Sequence, residues 1–225
     1  MKQIKVTGSH FEVGFSIGEY FSSEIQTAIA ENTTLQESFL PFHRSSEGKD
    51  LYHRLLSIHQ KEYPDYISEI EGIARGANVP FTEIFILNMR GEYRGYVKKP
   101  IQQGCSTLSL IDGGNAVFGH NEDGSLFYKD KMYVVEVHVD NKPAFTAFSY
   151  PGFLCGNAFG FNSEGICFCN NDVVPEKLEA GRARHFMARS LFEADTIEAA
   201  VEAVTPAGRA GGLTTPSGLS NSAAS

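Results

Sequence analysis

Apolar residues recur every three or four positions through the first hundred residues and every second position after residue 105, and this change of period divides the chain. In the first part, a short strand over 4–6 leads into Ser9-His-Phe-Glu12, the signature of a capping box. Val13, Phe15, Ile17, Tyr20, Phe21 and Ile25 then follow on a mostly helical period. Further helices are expected over 49–62, from Pro64 to the stop at Arg75-Gly76, and over 82–90, where Ile84, Phe85, Leu87 and Met89 carry the pattern. Residues 91–104 read as turns.

From Cys105 onward, strands are expected over 106–111 and 116–119 around the hairpin turn Asp112-Gly-Gly-Asn115. Strands over 132–139, 144–150, 154–161 and 165–170 continue as an antiparallel meander. Helices over 182–194 and 196–204 close the pattern, the second opened by a capping box at Asp195-Thr-Ile-Glu198. Strands flanked by helices on both sides imply an α+β architecture of sheet covered by helix. No internal repeat is found.

Composition narrows the class of partner. The chain has 225 residues, 42% hydrophobic and 20% charged, which suits a globular protein with a sizeable core. A net charge of −8 with no basic run longer than Lys98-Lys99 argues against nucleic acid as a partner. No apolar stretch approaches the roughly 18 to 20 residues that span a bilayer, and the start lacks a signal-peptide block. Cytoplasmic placement, no membrane partner and a small-molecule substrate are therefore expected; sequence leaves the oligomeric state open. The four cysteines, at 105, 155, 167 and 169, form no disulfide scaffold. The Gly/Ser/Thr/Pro-rich end after residue 204 reads as a flexible tail or as a loop cut before the next strand.

The candidate chemistry gathers at Gly104-Cys105 and Gly119-His-Asn-Glu-Asp-Gly124. A thiol becomes a nucleophile when its pKa is lowered or a base takes its proton. Chain cleavage before Cys105 would supply such a base on the same residue, since an α-amine titrates at roughly 7.7 to 8.0 and a thiol at roughly 8.5. The competing reading of Cys105 is a small apolar residue at a strand start. If the hairpin forms, Asp123 returns beside Cys105 and can orient the amine or thiol. A metal site at His120, Glu122 and Asp123 is discounted, because consecutive positions do not point to one centre. Asn171 offers a strand-ending amide or an oxyanion donor. Cys155, Cys167 and Cys169 read as core, and Arg182, Arg184 and Arg189 as a solvated face.

The chain resembles the peptidase C45 family, the N-terminal-nucleophile (Ntn) hydrolases of the acyl-coenzyme A:6-aminopenicillanic acid acyltransferase type. The resemblance rests on segments in order along the chain: Gly8 to Gly18, Ile70 to Gly76, Leu87-Asn-Met-Arg-Gly-Glu92, Gly104-Cys-Ser-Thr107, Gly119-His-Asn-Glu-Asp123 and Gly160-Phe-Asn-Ser-Glu-Gly165. It implies a four-layer αββα sandwich and self-cleavage at Gly104–Cys105. Residues 1–104 would form the helical propiece and 105–225 the start of the catalytic chain.

The resemblance further implies that Cys105 attacks first Gly104 and then an acyl amide or thioester. Asp123 would hold the nucleophile and its amine, Asn171 would stand in the pocket, and His120 and Asn121 would face the substrate. No cofactor and no metal are implied. His120 stands where bile-salt and penicillin V hydrolases carry Arg. The family also continues past residue 225 with a further oxyanion Asn, so the resemblance implies a C-terminally truncated, poorly active chain. The alternatives are an uncleaved, catalytically silent binding module, or a thiol redox protein using Cys167 and Cys169.

Overall fold

The computed structural model describes residues 1–97, 104–112, 115–173, 179–210, 212–214 and 217–219. Strand β1 (Lys2–Gly8) enters α1 (His10–Tyr20), whose start is fixed by Ser9: its hydroxyl accepts from the Glu12 amide while Glu12 accepts from the Ser9 backbone. The continuous helix expected to Ile25 instead turns at Phe21 into α2 (Ser22–Glu31). A π-helical turn (Leu35–Phe39) and α3 (Leu40–Arg44), absent from the sequence reading, precede α4 (Ser46–Glu62) and α5 (Pro64–Gly76). Helices α6 (Phe81–Asn88) and α7 (Arg90–Tyr93) follow, so the helix expected over 82–90 breaks at Met89 and α7 runs into the stretch expected as turns.

The hairpin of β2 (Gly104–Asp112) and β3 (Asn115–Asp123) is longer than its apolar pattern predicts, and its tip at 113–114 lies outside the described residues. The meander follows as β4 (Tyr133–Val139), β5 (Phe145–Ser149), β6 (Phe159–Asn162) and β7 (Ile166–Cys169). The strand expected over 154–161 thus begins only at Phe159. The short β8 (Asn171–Val173) precedes α8 (Arg184–Ser190) and α9 (Ile197–Val204). The cap of α9 is Thr196, one residue later than the expected box, with its hydroxyl accepting from the Ala199 amide. Within the Gly/Ser-rich end, β9 (Gly212–Thr214) pairs with β8 and β10 (Ser217–Leu219) pairs with β7, so part of it joins the sheets.

The main sheet has the order β1-β4-β5-β6-β7-β10. Only β1, parallel to β4, departs from antiparallel pairing. Its two faces differ. Tyr133, Val135 and Val137 of β4, with Phe145 and Ala147 of β5, face the helices and are buried; the Tyr133 ring stacks on Phe21 with centroids 3.7 Å apart. Val134, Thr146, Phe148, Phe159 and Phe161 lie on the other face, over which Phe118 and His120 of the hairpin pack. The described part therefore stacks helices, a sheet and a second β layer, a mixed α+β fold.

Helices α1 and α5 pack so closely that a Cβ at Gly14 would stand 2.0 Å from the Glu69 carbonyl oxygen, and one at Gly72 2.2 Å from that of Phe11. The β6–β7 turn is held by Asn162, whose Oδ1 accepts from the Glu164 and Ile166 amides while its Nδ2 donates to the Phe192 and Ala194 carbonyls. The regions on either side of Cys105 share one core, because β1 pairs with β4 and Glu69 of α5 pairs with Arg189 of α8.

Candidate active site

Strand alternation decides what meets the thiol. In the β2–β3 register Cys105 faces Glu122 and Thr107 faces His120, so these four side chains share one face of the hairpin. Gly104 faces Asp123 and Ser106 faces Asn121 on the opposite face. The expected strand end at residue 119 misses this, because β3 runs on to Asp123 and keeps alternating through the polar motif.

A directed set of hydrogen bonds converges on one carboxylate. The Cys105 thiol lies 3.8 Å from Glu122 Oε2, His120 Nε2 lies 3.0 Å from the same oxygen, and the Tyr150 hydroxyl donates to Oε1 at 2.8 Å. With His120 neutral and Nε2 protonated, its Nδ1 accepts from Thr107 Oγ1 at 3.0 Å, and Thr107 accepts from Asn171 Nδ2 at 3.1 Å. Asn171 thus joins the site through Thr107 and His120. Cys169 also reaches Thr107, at 3.3 Å, while the nearby Cys167 lines the cavity on the far side of His120. Asn121 donates to Ser106 at 3.2 Å on the face away from the thiol.

Asp123 serves Gly104 and the backbone. Its Oδ2 lies 3.8 Å from where a Cβ on Gly104 would be, and its amide hydrogen-bonds the Cys105 sulfur. Burial pushes the Cys105 thiol up, the Asp123 amide pulls it back, and the charges of Glu122 and Asp123 add to the rise. In the intact chain the thiol is therefore protonated at neutral pH.

Behind the thiol lies a cleft lined also by Arg90, Tyr128, Asn157, Arg184 and His185, with room for about one water. Neither amide atom of the buried Asn157 has a partner among the described residues, nor does Nδ1 of the buried His185. Burial and the neighbouring Arg90 and Arg184 hold His185 well below its usual range, so it is neutral. Burial and the charges of Arg90 and Arg94 push Arg184 down to about 9, with Glu92 opposing them. Arg184 and Arg189 are thus buried, against the expected solvated face; only Arg182, paired with Glu62, keeps its side chain partly in solvent.

On the far side of His120 an apolar cavity of about 400 Å³ opens between hairpin and sheet, lined by Phe118, Phe148, Phe159 and Phe161. Cys105, His120 and Glu122 hold their ligand atoms within 4.8 Å of one another, a set suited to a soft divalent cation. The objection that consecutive positions diverge applies to Asp123 alone, since residues 120 and 122 share a face.

Residues 111–215 match the family Acyl-coenzyme A:6-aminopenicillanic acid acyl-transferase. The chain is similar to this family over that segment. It is 30% identical to the beta-alanyl-dopamine/carcinine hydrolase of Drosophila melanogaster, an alignment covering 89% of this chain and 56% of that protein. It is 26% identical to the acyl-coenzyme A:6-aminopenicillanic-acid-acyltransferase 40 kDa form of Emericella nidulans, over 92% of this chain and 57% of that protein. The chain thus spans a little over half the length of these curated relatives. Among the described residues no helix is long and apolar enough to cross a membrane.

Glu122, Tyr150, Arg90, Arg184, Tyr128, Asn157 and His185 line the site without standing among the residues expected there from sequence. Glu122 was within reach, because alternation carried two residues further would have placed it opposite Cys105. Nothing local marks Tyr150 or the two arginines.

Proposed function

We propose that this chain carries the nucleophile of a self-processing cysteine amidohydrolase or acyltransferase of the Ntn type, acting on the amide or thioester of a small acyl substrate. The carrying observation is the placement of Gly104–Cys105 at the head of β2, opposite two carboxylates that divide the neighbourhood: Glu122 at the thiol and Asp123 at Gly104. Cleavage frees the Cys105 amine next to Gly104, the residue that Asp123 opposes. The amine then takes the thiol proton, the sulfur attacks the substrate carbonyl, and a thioester forms as the leaving group departs. Water or an amine resolves the thioester. Asn157 and Asn170 line the cleft with the thiol, Asn171 joins through Thr107, and the phenylalanine-lined cavity beyond His120 takes an apolar acyl group. The helix, sheet and second β layer are three layers of the proposed αββα sandwich.

Intact-protein mass spectrometry of the parent beside Cys105→Ala tests the reading. Two fragments split between Gly104 and Cys105 in the parent, with the variant whole, are expected. A single unbroken mass in the parent would sink self-processing and favour a silent binding module. A positive result leads to a substrate screen with β-alanyl amides and acyl thioesters, the chemistry in the names of the relatives.

A further inference from the structure

Before the chain is cut, the nitrogen of Cys105 is a peptide nitrogen and has no lone pair to offer as a base. The first cleavage therefore needs a proton acceptor other than the one that serves turnover. We infer that Glu122 is that acceptor, a catalytic residue of self-cleavage distinct in role from Asp123. The inference rests on the self-processing reading above.

Among the side chains of the described residues, Glu122 is the one given a hydrogen bond from the thiol, at 3.8 Å, and it directly opposes Cys105 across the hairpin. Donors from two other directions fix its carboxylate: Tyr150 at 2.8 Å from the chain just after β5, and His120 at 3.0 Å from its own strand. Arg90, Arg184 and Asp123 line the same cleft, the arginines supplying positive charge and Asp123 negative charge. The carboxylate is thus oriented with one oxygen on the thiol, at the bond to be cut.

In the step, the S–H proton passes to Glu122 Oε2 as sulfur adds to the Gly104 carbonyl carbon. A carboxylate is a weak base for a thiol, so transfer is drawn forward by formation of the S–C bond in the same step. Glu122 then returns the proton to the Cys105 nitrogen as the C–N bond breaks, leaving a Gly104 thioester and a free amine. Water adds to the thioester, the C–S bond breaks, and the products are a Gly104 carboxylate and a free thiol. One water is consumed and Glu122 ends as it began. After cleavage the amine takes over as base and Glu122 is no longer required for that role.

The test uses the 225-residue chain, made by cell-free synthesis and followed by intact mass from pH 5 to 9, with Glu122→Gln and Asp123→Asn beside the parent. Glutamine keeps the shape and can still accept from Tyr150; an unchanged thermal midpoint verifies the fold. Glu122→Gln is expected to slow cleavage by about 100-fold or more throughout that pH range, and by more than Asp123→Asn does.

Hydroxylamine separates the steps, because it intercepts a thioester but cannot create one. No rescue of Glu122→Gln is expected. Cleavage of Glu122→Gln at the parental rate, or its restoration by hydroxylamine, overturns the inference while leaving self-processing intact. An uncut parent overturns both.

Discussion

Glu122 places two opposed demands on Cys105. Its charge adds to the burial that raises the thiol's pKa, yet its oxygen is the thiol's hydrogen-bond acceptor. Removing the charge should therefore have effects of opposite sign on two reactions of the same sulfur. In Glu122→Gln, uncleaved chains should react faster with iodoacetamide at pH 8 than uncleaved parent chains, because the thiolate is less disfavoured, while they cleave more slowly. Mass-resolved alkylation reads both at once, and slower alkylation of the variant would show that Glu122 does not oppose ionisation. Other residues of the family-like segments act through packing. Asn88 donates to the carbonyls of Ile84 and Gly152 and accepts from the Leu154 amide, joining α6 to the chain before β6. A sequence shows that such an Asn is present, but its partners 64 and 66 residues away are visible only in three dimensions.

At the scale of elements, the contact of α1 with α5 depends on glycines. Alanine at an ordinary mid-helix glycine gains up to about 1 kcal/mol from propensity. At Gly72 the added Cβ would lie 2.2 Å from the Phe11 carbonyl oxygen, a backbone atom that moves only with its helix. Overpacking of this kind costs about 1–3 kcal/mol and sets the sign. Gly72→Ala is expected to lower the urea midpoint, and a stabilised variant would refute the close contact. Helix starts were legible where a capping hydroxyl or a proline marks them, as at Ser9 and Pro64. The break at Phe21 was not, because apolar spacing runs through it without interruption. Strand ends were the weakest part: β3 outlasts its apolar residues because its partner β2 holds it in register through the polar motif, and pairing energy leaves no trace in the hydropathy of one strand.

Across the whole molecule, the parts before and after Cys105 are tied by a buried ion pair. Arg189 and Glu69 are fully buried, 2.9 Å apart, with His10 hydrogen-bonded to the same carboxylate. Burial alone would raise Glu69, but the charge of Arg189 and the hydrogen bonds from His10 and Arg189 outweigh it and hold the carboxyl below its ordinary value. A depressed folded pKa stabilises above the unfolded pKa and is lost as pH falls through the folded one. The parent should thus resist acid until below the usual carboxylate range. Arg189→Met should cost about 3–5 kcal/mol by leaving Glu69 buried and unpaired, and should move acid unfolding to higher pH. Equal acid midpoints in urea-assisted titrations would count against it.

The α+β class and the antiparallel run were legible from periodicity. The parallel pairing of β1 with β4 was not, since its partners lie 131 residues apart by register and nothing in 4–6 names them. That pairing changes what cleavage does to folding. An intact chain searches for β1–β4 contact within itself, whereas the proposed cut at Gly104–Cys105 turns the same search into an encounter of two molecules. The denatured state of the processed protein then gains the translational freedom of a second body, and recovery becomes dependent on concentration. A processed molecule, once unfolded at high dilution, would have no ready route back.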